Sequence, residues 1–435
     1  MFKVLANRTY RHLFLAQVIA LVGTGLATVA LGLLAYDLAG ANAGAVLGTA
    51  LAIKMIAYVG VAPIASAFAQ HLPRRTVLVS LDIVRAAVVV FLPFVSEIWQ
   101  VYVLVFLLQS ASAAFTPTFQ ATIPDILPDE MDYTQALSLS RLAYDLENLL
   151  SPALAAVLLT VMSFHNLFSG TVIGFIVSAF LVLSVALPSP KPSERGPIYE
   201  AVTHGIRIYL ATPRLRGLLA LNLAVAAAGA MVIVNTVVLV QGHYGLSEQA
   251  MALALAAFGA GSMLAAFALA PLLEKTNDRS LMCACATLLP LGLTFGMFMP
   301  GYAFMLPLWF AMGFAYSLTQ TPSGRLLRRS CHAQDRPALF AAQFALSHAC
   351  WLITYPIAGW LGAKLGMNTT FALLAGMAAI SVVLAIRLWP AGDFQEVEHC
   401  HPGLSLEHPH LKGEGRRHSH VFVIDRDHPV WPRHG

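Results

Sequence analysis

Apolar runs of about 20 residues, the length a helix needs to cross a bilayer, recur along most of the chain and leave it few possible folds. Twelve can be drawn, roughly 13–38, 45–69, 77–95, 99–117, 136–161, 167–187, 216–240, 249–273, 281–299, 302–321, 338–361 and 369–389. In hydrocarbon every backbone N–H and C=O must bond within the protein, so such runs imply helices. Of the 435 residues 58% are hydrophobic and only 11% charged, against about 25% charged in soluble domains. The expected fold is an all-α membrane protein of twelve transmembrane helices.

The first run is longer than the apolar core of a cleavable signal peptide, about 7–15 residues, and reads as a retained span. Cysteines at 283, 285, 331, 350 and 400 give no disulfide framework. Basic residues such as Arg8, Arg74, Arg75, Lys191, Arg214, Lys275, Arg325 and Arg336 lie before the first run or in even-numbered connections, whereas Lys364 is the single one in the odd-numbered connections. Lys and Arg accumulate on the cytoplasmic side, so both termini are expected there. The net charge of +4 thus speaks about topology, and no nucleic-acid partner is expected.

The longest internal connection divides the runs into six and six. The expected units are an amino-terminal half (1–187), a linker (188–215), a carboxy-terminal half (216–389) and a tail (390–435). Within the linker, Ile198, Val202, Ile206, Tyr209 and Leu210 alternate with Glu200, Thr203 and Arg207 at the spacing of an amphipathic surface helix. Two six-span halves are the plan of transporters of the major facilitator type, whose substrate path lies between the halves.

The segments SLDIVRA (80–86), FTPTFQATIPDILP (115–128) and HGIRIYLATPRLRGLLALN (204–222) resemble the efflux branch of the major facilitator superfamily that includes macrolide and enterobactin exporters. In that family the loop between spans two and three usually reads G-x-L-A-D-R-x-G-R-R; here it is SAFAQHLPRR (66–75), with Gln70, His71 and Pro73 replacing the acid, the base and the glycine. The resemblance implies a conformational latch of charge pairs in that loop, weakened or rebuilt in this chain. Asp82 and Arg85, three apart on one helix face, are candidates for part of it, with a purely structural ion pair as the alternative.

The fifth run carries RLAYDLENLLSP, Arg141 to Pro152, which places charges where they are costly and often mark an ion or proton path. At about 100° per residue, Arg141, Asp145 and Asn148 share one helical face and Ser140, Tyr144, Glu147 and Ser151 another. Arg141 and Asp145 are spaced for a pair within the helix. Glu147, near mid-bilayer, has no basic partner on its own face and occupies a position that the family's antiporter pattern gives to glycine. It is the candidate proton or cation carrier, against a role in hydrogen bonding a neighbouring span. Asp37, Lys54, Gln109, Asn222 and Asn235 are further candidates for lining a central cavity. His348 is the one histidine well inside an apolar run, a structural residue or a metal ligand.

Beyond Trp389 the composition changes. The tail carries three H-x-H pairs, His399/His401 around Cys400, His408/His410 and His418/His420, with no apolar periodicity, and it reads as a disordered, metal-binding segment. Neutral imidazole suits nickel, cobalt, copper and zinc. An exporter of this branch ending in such a tail, closing in SHVFVIDRDHPVWP, resembles the nickel-resistance (NreB-type) exporters. The resemblance implies an inner-membrane exporter of nickel or cobalt ions, with protons as the coupling ion, no resident cofactor, and lipid and the metal ion as partners; oligomeric state stays open. No P-loop motif is present, and an enzyme is not expected. The alternatives are an exporter of an organic drug or siderophore whose tail senses metal, and a membrane protein that binds metal without transporting it.

Overall fold

Leucine, alanine and valine dominate the apolar runs, and with their backbone groups bonded internally these runs fold as helices throughout. The computed structural model of the chain describes residues 2–61, 72–188, 198–298, 301–332, 335–391, 396–400, 417–425, 428 and 430–431. In the first half these hold α1 (Arg8–Ala39), α2 (Ala43–Ile56), α3 (Arg74–Phe91), α4 (Ile98–Ile126), α5 (Glu130–Leu158) and α6 (Phe164–Leu183). The amphipathic helix α7 (Ile198–Ala211) follows. In the second half come α8 (Pro213–Val237), α9 (Glu248–Lys275), α10 (Asp278–Gly296), α11 (Tyr302–Gln320), the short α12 (Ser323–Arg328), α13 (Arg336–Leu365) and α14 (Met367–Leu388).

Ten segments among the described residues are long and apolar enough to cross a membrane; the first, Arg8–Val61, holds both α1 and α2. Between them Gly40 takes φ 52, a conformation that costs glycine little, and the chain reverses there. We call the end of the bundle that holds Arg8 the terminal end and the end at Gly40 the distal end. α2 widens into a π-helical turn over Ala57–Val61, and α8 ends in another over Val238–His243. Pro152, Pro271, Pro290, Pro307 and Pro356 all lie inside helices, as helices surrounded by other helices tolerate.

The halves meet along α2 and α13, where small residues allow backbones to touch. A Cβ on Gly48 would lie 2.5 Å from the Tyr355 carbonyl oxygen, and one on Gly359 would overlap the Gly44 carbonyl. Trp360 Nε1 donates to Thr49 Oγ1 at 2.9 Å, and Asn235 Nδ2 to the Ala358 carbonyl at 3.0 Å. On the other side of the bundle, Gln249 Nε2 of α9 donates to the Leu159 carbonyl just past α5 at 2.6 Å. All of these lie towards the distal end, which they close. α7 packs on the start of α13: Gly205 lies flush on the Ala338 carbonyl, and Tyr209 donates to Gln343 Oε1 at 2.5 Å.

The expected disordered tail is corrected in part. Glu396–Cys400 and Arg417–Val421 form a two-stranded antiparallel hairpin, β1 and β2, and Phe422, Val423, Ile424 and His428 beyond it are buried. The signal lay in VFVID, a short continuous apolar run ahead of the aromatic Trp431, which can bury enough surface to order itself. His401, His408 and His410 lie outside the described residues.

Candidate transport site

α5 is one continuous helix through Arg141, Asp145, Glu147 and Asn148, whose side chains lie outside the described residues. Its orientation is fixed by neighbours. Ser140 donates to Gln17 Oε1 at 3.1 Å and Ser151 to the Val22 carbonyl at 3.3 Å, both on α1. The stripe of α5 that holds Ser140 and Ser151 is therefore the one applied to α1.

Asp82 and Arg85 form an ion pair in the interior of the first half. Ser178 of α6 donates to the second oxygen of Asp82 at 2.7 Å, and the guanidinium lies 4.1 Å and 4.4 Å from the ring centroids of Phe115 and Phe175. Charge, hydroxyl and two ring faces together satisfy groups that would be costly alone. The pair and its partners join α3, α4 and α6 to one another. The terminal-end charge pair that the sequence reading missed joins Arg74, at the start of α3, to Asp125, at the end of α4. Its signal was available in PRRT and IPDILP, two charged helix ends that an antiparallel pair of helices must bring close.

Of the cavity candidates, Lys54 and Gln109 line one recess in the first half together with Thr24, Thr28, Ser112 and Thr171. The Lys54 ammonium lies 5.7 Å from the Tyr58 ring centroid, and that ring stacks on His348 of α13 at 5.4 Å. Lys54 therefore stands where α2 faces the second half. An ammonium at this depth costs about 2.5–3.5 kcal/mol on insertion scales, which favours a place beside water or polar groups. Asn222 and Asn235 are buried within α8, and Asp37 is exposed near the distal end of α1, outside that recess.

The His348 ring is fixed by a 2.7 Å hydrogen bond between Nδ1 and the Phe344 carbonyl, which leaves Nε2 as the acceptor nitrogen. Phe344 packs on it at 3.9 Å between ring centroids, and Trp351 and Tyr355 continue the aromatic series along α13. Among the described residues no group of three His, Cys, Asp or Glu side chains is arranged to hold a metal, and the described rings packed on His348 are those of Tyr58 and Phe344. In the tail, the hairpin register sets His399 directly across from His418, Val397 across from His420 and Cys400 across from Arg417. One histidine of the first H-x-H pair, His399, is thus set across from one of the third, His418, by backbone pairing.

Near the terminal end of the second half, Asp278 lies 3.7 Å from Arg325 and 3.5 Å from Arg329. The buried Arg214 at the start of α8 donates to Ser330 Oγ at 2.8 Å and to the Arg329 carbonyl at 2.9 Å, and lies 5.2 Å from the Trp431 ring centroid. Asp425 takes His332 on one oxygen at 3.1 Å and His428 on the other at 2.8 Å. Burial acts to raise the Asp425 pKa, but the two imidazole hydrogen bonds outweigh it and hold the carboxyl below its ordinary value.

The chain matches the Major Facilitator Superfamily over residues 13–237 and 218–399. It is 24% identical over 337 residues to the uncharacterized MFS-type transporter YfiS of Bacillus subtilis (strain 168), covering 74% of this chain and 79% of that one. It is 24% identical over 152 residues to macrolide efflux protein A of Enterococcus faecalis, covering 33% of this chain and 47% of that protein. Among solved structures, a POT family transporter in complex with 5-aminolevulinic acid superposes with a TM-score of 0.70 at 11% identity, covering 89% of this chain and 97% of the other. The family match runs through both sets of helices, and the chain is a multi-pass membrane transporter of the Major Facilitator Superfamily.

Proposed function

We propose that this transporter exports divalent transition-metal cations, nickel foremost and cobalt as the near alternative, across the cell inner membrane in exchange for protons. The observation that supports the reading is the hairpin register, which pairs the backbones of His399 and His418, one residue from each of two distant H-x-H motifs. Imidazole prefers metals of this class to the harder magnesium and calcium. In this reading the chain crosses the membrane twelve times with both termini in the cytoplasm, the tail gathers metal there, and the closed distal seam makes this the cytoplasm-facing state. Glu147 of α5 takes up and releases the coupling proton.

The test uses everted membrane vesicles, with uptake of nickel, cobalt and zinc followed with and without an imposed pH gradient. Nickel uptake is expected to need the gradient. Alanine at all six of His399, His401, His408, His410, His418 and His420 is expected to raise the metal concentration needed for half-maximal flux without abolishing flux. Glu147→Gln is expected to remove the pH dependence. Absence of gradient-driven flux for all three metals would overturn the metal reading.

A second reading, export of an organic solute, is favoured by the aromatic series Tyr58, Phe344, Trp351 and Tyr355 and the ammonium of Lys54 beside it. Flat rings and a fixed charge suit an amphiphilic molecule better than a bare cation. It predicts gradient-driven dye efflux indifferent to nickel and lost on Tyr355→Ala.

A further inference from the structure

We infer that the carboxy-terminal segment 422–431 is an intramolecular anchor that turns the His-rich tail into a loop fixed at both ends on the second half of the transporter. The near end of that loop is Trp389, fully buried, whose carbonyl accepts from Arg279 Nε at 2.7 Å. A Cβ on Gly217 would lie 2.7 Å from Trp389 Cβ, so α8 and the end of α14 are in direct contact there.

The far end is held with equal definition. Phe422 and Ile424 are 2% and 3% exposed and belong to the same apolar core as Leu215, Leu326, Leu327, Cys331 and Trp389. Phe422 packs edge-on against Trp431 at 5.0 Å between centroids, and Trp431 in turn covers the Arg214 guanidinium. Asp425 turns the backbone, accepting from the His428 N–H at 2.8 Å, and spends its other oxygen on His332. Arg214 is already committed to Ser330 and the Arg329 carbonyl. The anchor therefore grips the connection between α11 and α13 from one side. α7 grips it from the other, where His204 pairs with Asp335 at 3.1 Å.

Between the two fixed ends lie residues 392–421, with all three H-x-H motifs. β1 and β2 close this stretch a second time around 401–416. A chain end that is free must lose entropy each time distant groups come together, a cost that grows with the logarithm of the loop length. Here the closure is made by burial of Phe422, Ile424 and Trp431 before any ligand arrives. The anchor thus holds the imidazoles at high effective concentration beside the transport domain, and a ligand gathered in the loop acts on the α11–α13 connection through it. The anchoring stands on packing alone; its consequence for metal rests on the function proposed above.

The experiment is amide hydrogen exchange on the full chain in lipid nanodiscs, comparing wild type with Asp425→Asn/Trp431→Ala and with a chain ending at Val421, first without metal and then with nickel chloride. Without metal, the wild type is expected to protect 329–335 on the order of tenfold or more over both variants, and 420–425 by as much over Asp425→Asn/Trp431→Ala, since a docked segment exchanges only through opening. Equal exchange in wild type and variants would overturn the anchor. With nickel, the wild type is expected to slow further at both 396–421 and 329–335, the variants at 396–421 alone. Slowing at 329–335 in the variants too would show that the anchor does not carry the coupling. If nickel changes nothing in any chain, the metal reading fails while the metal-free comparison still decides the anchor.

Discussion

The two halves tie their terminal ends with ion pairs of opposite polarity. In the first half the base opens α3 and the acid ends α4, as Arg74 and Asp125; in the second the acid opens α10 and the bases follow α11, as Asp278 with Arg325 and Arg329. The burial differs as well. Asp125 is 42% exposed at its side chain, whereas Asp278 is 2% exposed and begins a helix, where a carboxylate gains from the dipole. Deeper in, the order reverses. The first half carries the sealed pair Asp82–Arg85, while the equivalent place in α10 holds the apolar neighbours Cys285, Ala286 and Leu289. The first half is therefore stitched from within and the second at its rim, where the linker helix and the tail anchor add their own pairs.

The largest expected effect tests the internal stitch. Arg85→Ala leaves the Asp82 carboxylate in a space shaped for an ion pair, and stranding one member of a buried pair costs about 3–5 kcal/mol. Thermal unfolding of the purified protein in detergent should fall sharply. The double variant Asp82→Ala/Arg85→Ala should recover part of the loss, because the charge left behind is gone too. A single variant as stable as wild type would mean that solvent reaches the pair, and the contrast between the halves would collapse.

A smaller loss is expected at the rim of the second half. Asp278→Asn keeps the shape but removes the charge shared by Arg325 and Arg329, and a hydrogen-bonded or paired charged group is worth about 1–3 kcal/mol. Arg325 alone should matter little, since its side chain is 62% exposed, and Arg325→Ala with Asp278 intact separates the two contributions by the same melting measurement. If Arg325→Ala costs as much as Asp278→Asn, the exposed arginine carries the rim and the burial of Asp278 is incidental.

How much of this contrast the sequence discloses depends on range. The helices and the amphipathic α7 follow from apolar periodicity, a local signal. Asp82–Arg85 is also legible, because a pair three apart on one helix is local. The partner hydroxyl Ser178 and the box of Phe115 and Phe175 are not, since they arrive from α4 and α6 through packing. The same holds for Arg214, which reads as one more basic residue of a cytoplasmic connection and is instead buried under Trp431. Reading the tail by its histidines and prolines hid the apolar run of 421–424, and with it the anchor. Ser140 and Ser151 likewise meet α1 only through packing, which no local spacing discloses.

The smallest effect belongs to the outer pair of the first half. Arg74 is 13% exposed and Asp125 42%, so water and salt screen much of their attraction, and exposed pairs contribute about 0–1 kcal/mol. A double-mutant cycle of Arg74→Ala and Asp125→Ala, followed by thermal unfolding, should give a coupling below about 1 kcal/mol that shrinks as salt rises, because the Debye length falls from about 10 Å at 0.1 M to about 3 Å at 1 M. The matching cycle of Asp278→Ala and Arg329→Ala should give a larger coupling that salt changes less, since Asp278 is shielded. Reversing the first pair, Arg74→Asp with Asp125→Arg, gives it the polarity found in the second half, and should restore most of whatever coupling the single changes remove. Should the outer pair of the first half prove the stronger and less salt-sensitive of the two, the first half would be fastened at its rim as the second is, and burial of the acid would not be what separates them.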